Sequence, residues 1–124
     1  MPKKDVTDVE ALIPPEPFAR VSVTECERKM REESWAPFVL DVRSAREAEI
    51  VSLPFVNLLQ PHRRVTHIVD QLPTDRDILV SCKVGGRSAV ACRSLAAAGV
   101  RRLHNLDGGV IAWAKTLDSS MPIY

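Results

Sequence analysis

Cys82 is followed by Lys83-Val84-Gly85-Gly86-Arg87-Ser88 and then by the alanine-rich stretch AVACRSLAAAG. A thiol, two glycines and two cations within seven residues suit one chemistry, a nucleophilic sulfur held as an anion. The run before it, DILVSC (77–82), reads as a buried strand, and RSAVACRSLAAAG (87–99) reads as a helix closed by Gly99. Cys82 then stands at the C-terminal end of a strand, the edge of an open α/β sheet where ligands bind. The first N–H groups of the following helix have no carbonyl partner within it and carry partial positive charge. If the loop curls around Sγ, the amides of residues 83–88 converge on the sulfur. Glycines such as Gly85 and Gly86 help because such a cradle needs positive φ at some positions, and Lys83 and Arg87 add positive potential. A thiolate held there, exposed to solvent, attacks a sulfur or phosphorus centre, or carries a persulfide stabilised by the same donors. The competing reading is a small buried hydrophobe at a strand end, common for free cysteine. The Gly-Gly pair and the two cations weigh against it.

The elements that must position this loop alternate in type. PFVLDVR (37–43) suits a strand buried on both faces, SAREAEIV a helix capped by Ser44, and FVNLL (55–59) a short strand. RRVTHIVDQL reads as a helix with Val65, Ile68, Val69 and Leu72 on one side, RRLHNL (101–106) as a strand, and DGGVIAWAKTLD as a turn and a closing helix. Upstream, VSVTECERKMREES reads as a helix in which Thr24 and Glu27 form a capping box. Residues 1–20 hold four of the nine prolines and read as an extended lead-in or linker, leaving 21–124 as one domain. The alternation predicts a small α/β domain with a parallel sheet and helices on both faces.

Composition narrows the partners. The 124 residues carry 17 Lys plus Arg against 16 Asp plus Glu, a net charge of +1, which gives no argument for a nucleic-acid or membrane partner. No apolar run is long enough to span a bilayer. MPKKDVTDVE lacks the apolar segment of a secretory signal, so the expected setting is cytoplasmic. Cys26, Cys82 and Cys92 form no disulfide framework and no C-x-x-C zinc pair, and His62, His67 and His104 lack ligand spacing. No metal or cofactor is expected. Cys92 and Trp113 read as core. Cys26, on the first helix with no fixed basic neighbour, reads as a thiol without a role.

Three stretches in order, LDVRSAREAEI (40–50), CKVGGRS (82–88) and LDGGVIAWAK (106–115), resemble a rhodanese domain over about residues 20–124. The segment VSLPFVNLL departs from the Gly-His and Gly-Ala flanks common in that family, but the active loop does not. EAEIVSLP and the closing AWAKTLDSSMPIY are similar to the rhodanese domain fused behind a ubiquitin-activating-like adenylyltransferase. The resemblance implies a sulfurtransferase with Cys82 as the sulfur-carrying residue. Lys83, Val84, Gly85, Gly86, Arg87 and Ser88, with Arg43, would contact the donor, and Asp41 and Glu47 would support them. The residues themselves leave Arg43 open between lining the mouth and pairing with Glu47. The implied donors are a small anion such as thiosulfate or a cysteine-desulfurase persulfide. The implied acceptor is a ubiquitin-like sulfur carrier, activated by an adenylyltransferase domain, in molybdopterin synthesis or tRNA thiolation. Two alternatives remain: a catalytically silent docking module, and a cysteine phosphatase or arsenate reductase on the same fold. The phosphatase loop is one residue longer than the four that separate Cys82 from Arg87.

Overall fold

The two most apolar runs of the sequence become the neighbouring central strands of a parallel sheet. A computed structural model of the protein describes residues 15–124. The strands are β1 (Ala19–Ser22), β2 (Phe38–Asp41), β3 (Leu58–Leu59), β4 (Ile78–Ser81) and β5 (Leu103–Asp107), in the spatial order β1-β5-β4-β2-β3 with every pairing parallel. The helices are α1 (Val23–Glu32), α2 (Ala45–Ile50), α3 (Gly86–Ala97) and α4 (Gly109–Thr116), with a 3-10 segment over His62–Gln71.

Strand side chains alternate between two apolar layers, so consecutive residues of one strand serve opposite faces. Leu40, Ile78, Val80 and Leu103 meet Ala91, Cys92 and Leu95 of α3 and Val65 and Ile68 of the 3-10 segment. Val39, Leu79 and Leu106 meet Val23 and Cys26 of α1 and Val110 and Trp113 of α4. Burial on both faces explains why β2 and β4 carry no polar alternation. Trp113 packs edge-on against Phe55, with centroids 5.2 Å apart. Cys26 and Cys92 are fully buried, and burial pushes both thiols up to about 12.

Several expectations are corrected. β1 replaces the start of the expected first helix, because backbone pairing with β5, Val21 against Leu106, overrides local propensity. Ser22, not Thr24, caps α1, accepting the Glu25 N–H at 3.1 Å. Phe18 and β1 belong to the folded body, so a lead-in cannot extend to residue 20; residues 1–14 lie outside the described residues. The segment at 62–71 is 3-10 and kinked, with non-helical φ/ψ at Arg64 and Ile68, although its apolar side still faces the core. The strand expected at 55–59 shrinks to two residues. There Asn57 pairs with β2 through its side chain, its Oδ1 accepting the Val39 N–H at 2.8 Å. None of the described helices is long and apolar enough to cross a membrane.

Candidate active site

β4 delivers Cys82 to the carboxyl edge of the sheet, beside β2, where the Val42 N–H donates to the Ser81 carbonyl at 2.9 Å. The loop then turns on Gly85, whose φ of +101° is in the left-handed region that only glycine enters at low cost. Helix α3 opens at Gly86. The Cys82 sulfur accepts the N–H of Gly85 at 3.1 Å and that of Ser88 at 3.4 Å, and lies 3.3 Å from Ser88 Oγ. Among residues 83–88, these two amides are the ones that reach the sulfur. The expected exposure is not found: Cys82 is 1% exposed. The loop folds over its own sulfur, and the side chain borders the apolar layer under α3. Two hollows, of about 140 and 390 Å³, have no loop residue in their walls.

The loop is clamped from behind by β5 and α4. The N–H groups of Val110 and Ile111, at the start of α4, donate to the carbonyls of Cys82 and Lys83 at 3.0 and 3.1 Å. This contact requires Gly109, at φ +58°, because a Cβ there would meet the Cys82 carbonyl and lie 2.6 Å from that of Lys83. Asn105 Nδ2 reaches the Gly85 carbonyl at 3.3 Å and Asp107 Oδ1 at 2.8 Å. Asn105 escapes a sequence reading because nothing in RRLHNL marks one polar residue as buried. Its neighbours His104 and Asp107 are polar as well, so an amide there gives no distinguishing signal.

Arg43 corrects the sequence reading. It is wholly buried. Its guanidinium forks onto Asp41, with Nε at 3.0 Å from Oδ1 and Nη2 at 2.7 Å from Oδ2, and Nη2 also donates to the Val51 carbonyl at 2.8 Å. The Glu47 carboxylate pairs with Arg87, not with Arg43: Arg87 Nη1 and Nη2 each stand 2.7 Å from a Glu47 oxygen. Glu47 also completes the capping box of α2 with Ser44. Lys83 and Val84 are at the rim, Val84 well exposed. Tyr124, to which the sequence assigns no role, donates to Glu47 Oε2 at 2.7 Å and accepts from Arg43 Nη1 at 3.0 Å. Among the described residues, no three His, Cys, Asp or Glu side chains gather as a metal site.

The Arg87 guanidinium holds the Glu47 carboxyl far below the usual carboxylate range; burial opposes this, and the Tyr124 hydroxyl and Ser44 N–H assist it. A carboxylate depressed in the folded state binds its proton more readily in the unfolded chain. It therefore stabilises the fold above the unfolded value, and that stability is lost as pH falls. Glu47→Gln should remove part of the acid-side loss. The gap in melting temperature between parent and variant is expected to be constant above about pH 5 and to narrow below it. Thermal melts across that range test this, and a gap independent of pH would refute it.

A parallel α/β domain with a cysteine loop opening a helix at the carboxyl edge of a central strand is the class that fold and site define. Within that class, the chain belongs to the rhodanese-like domain family, whose profile matches residues 22–116. It is 38% identical over 99 residues to Thiosulfate sulfurtransferase 18 of Arabidopsis thaliana, covering 68% of this chain and 69% of that one. It is 32% identical over 114 residues to the chloroplastic Rhodanese-like/PpiC domain-containing protein 12 of the same plant, covering 88% and 38%. It is 34% identical over 88 residues to the probable adenylyltransferase/sulfurtransferase MoeZ of Mycobacterium tuberculosis, covering 69% and 22%. The chain thus spans well under half the length of the last two. A solved rhodanese-like domain protein from Staphylococcus aureus has the same fold, with a TM-score of 0.69 at 25% identity over 86% of this chain and 98% of that one.

Proposed function

We propose that the protein is a sulfurtransferase that carries sulfane sulfur as a persulfide on Cys82. The observation that carries this is the pair of backbone N–H groups, from Gly85 and Ser88, aimed at Sγ. Donors fixed by the fold stabilise negative charge on sulfur without reorganising. The next N–H groups of the helix opening, those of Gly86 and Arg87, have no carbonyl within the helix and are assigned to the outer sulfur. Cys82 attacks the sulfane sulfur of a donor, the donor S–S bond breaks, and the leaving group departs with the electron pair. A thiophilic acceptor then takes the outer sulfur. Lys83 and Arg87 supply the charge at the mouth, with Val84 at its rim, while Asp41, Arg43 and Glu47 hold the surrounding loops. No cofactor enters the scheme.

The likeness to MoeZ supports a narrower reading, in which the acceptor is the adenylated terminus of a ubiquitin-like carrier and an adenylyltransferase domain is the partner. A reducing compartment such as the cytoplasm suits three unpaired cysteines. Phosphatase chemistry fits less well, because it needs a protonated carboxyl over the sulfur. Glu47 is held ionised by Arg87, and Asp107 is salt-bridged to Arg20 at 2.9 Å.

Mass spectrometry of the reduced protein after exposure to thiosulfate or cysteine persulfide tests the proposal. The peptide bearing residue 82 should gain about 32 Da, reversed by a thiol reductant. No gain with either donor would sink it: aryl phosphate hydrolysis would then identify a phosphatase, and inertness a docking module.

A further inference from the structure

We propose that Tyr124 is a specificity-determining residue of the cysteine loop: by occupying the positive charge beside Cys82, it disfavours small dianionic donors such as thiosulfate. This rests on the sulfur-carrier reading of Cys82 and adds to it a residue outside the loop.

Both cations of the loop are already engaged. Arg87 gives its two terminal nitrogens to Glu47, and Lys83 Nζ stands 4.5 Å from the centroid of the Tyr124 ring. Tyr124 is itself fixed. Its hydroxyl bridges Glu47 and the buried Arg43, and its ring packs on the apolar layer that contains Trp113. The Asp41–Arg43 pair therefore anchors the aromatic face that covers Lys83.

A dianion seeking this mouth must draw Lys83 off the ring and compete with a carboxylate for Arg87. A donor with less negative charge gives up less by leaving those contacts intact. The residues next to these in the chain have a matching character. The exposed large apolar side chains among the described residues are Ile50, Val84, Val90 and Ile123. In order, they lie within three residues of Glu47, Lys83, Arg87 and Tyr124. Apolar side chains so near the charged residues in sequence suit a persulfide borne on an organic or protein body. The chemical step balances for either donor: the Cys82 thiolate bonds to the sulfane sulfur, the donor S–S bond breaks, and sulfite or a thiolate leaves with the electron pair.

The test compares thiosulfate with cysteine persulfide, which carries one net negative charge against two. Initial rates of sulfur loading on residue 82 are read by mass. Tyr124→Ala should lower the half-saturating concentration of thiosulfate about fivefold, the scale of one released cation–π contact. The thiosulfate-to-persulfide ratio of loading efficiencies should rise by the same factor. Tyr124→Leu, which keeps apolar packing but has no π face, should do likewise and stands in if the alanine variant is unstable. Tyr124→Phe retains the ring and should shift the ratio by less than about twofold. Added salt should erase the gain, since it acts through a partly exposed charge. A Tyr124→Leu protein that loads sulfur with an unchanged ratio overturns the role of Tyr124 and leaves Cys82 standing. A parent protein that loads no sulfur from either donor overturns both.

Discussion

Cys82→Ser should abolish persulfide loading and lower sulfur transfer by roughly three orders of magnitude or more, the scale on which loss of a covalent nucleophile is felt. The fold should survive the change. A serine oxygen can accept the same N–H groups, from Gly85 and Ser88, that now point at Sγ, so a change of about 1 kcal/mol or less is expected. Neither remaining thiol can substitute. Cys26 and Cys92 are fully buried with thiols pushed up to about 12, far from ionisation at neutral pH. The decisive measurement pairs the mass of the donor-treated variant with its melting curve. Sulfur retained by a folded Cys82→Ser protein would place the carrier at another residue.

Arg43→Ala should cost about 3–5 kcal/mol, because it leaves the carboxylate of Asp41 unpaired in the interior. Asp41 is 1% exposed, and the guanidinium that neutralises it also satisfies the Val51 carbonyl and the Tyr124 hydroxyl. Against a typical total of about 5–15 kcal/mol for a domain, that loss is severe. Replacing both members, as Arg43→Met with Asp41→Leu, should recover most of it, since the penalty lies in the orphaned charge and not in the absence of a pair. Urea unfolding of the single and double variants measures both. If Arg43→Ala kept its stability and instead lost affinity for thiosulfate, Arg43 would return to the donor-contacting role that its motif suggests.

What was readable in advance divides along a physical line. The two-sided burial of β2 and β4, the capping of α2 by Ser44 and the glycine turn at 85 depend on nearby residues, and patterning reveals them. β1 is not legible in the sequence because its four residues are half polar and become a strand only through β5. The site shows the same division. The loop motif identifies Cys82 and its donors, but the number of amides that reach the sulfur follows from the three-dimensional turn. The partners of Arg43 and Glu47 could not be assigned from spacing. Arg43 and Glu47 are four apart and look like a helical ion pair, yet each finds its charge partner elsewhere: Asp41 for one, Arg87 for the other. Tyr124 enters only because the chain returns, some forty residues after the loop, to the place where both stand.

The grip of α4 on the loop carries a consequence for how this domain can change its cargo. The carbonyls of residues 82 and 83 are tied to Val110 and Ile111, and that of Gly85 to Asn105. Rigid peptide planes pass this restraint on to the N–H on the far side of each bond. Of these carbonyls only that of Val84 has no such tie, and the Gly85 N–H beyond it donates to the Cys82 sulfur at 3.1 Å. An insertion that widened the ring to admit a bulkier oxyanion would disturb least at that joint, whereas at residues 82 and 83 it would pull on the closing helix and at 85 on β5. Diversification of such a chain toward larger groups is therefore steered toward that joint, whereas drift in charge selectivity is open at Lys83, Arg87 and Tyr124.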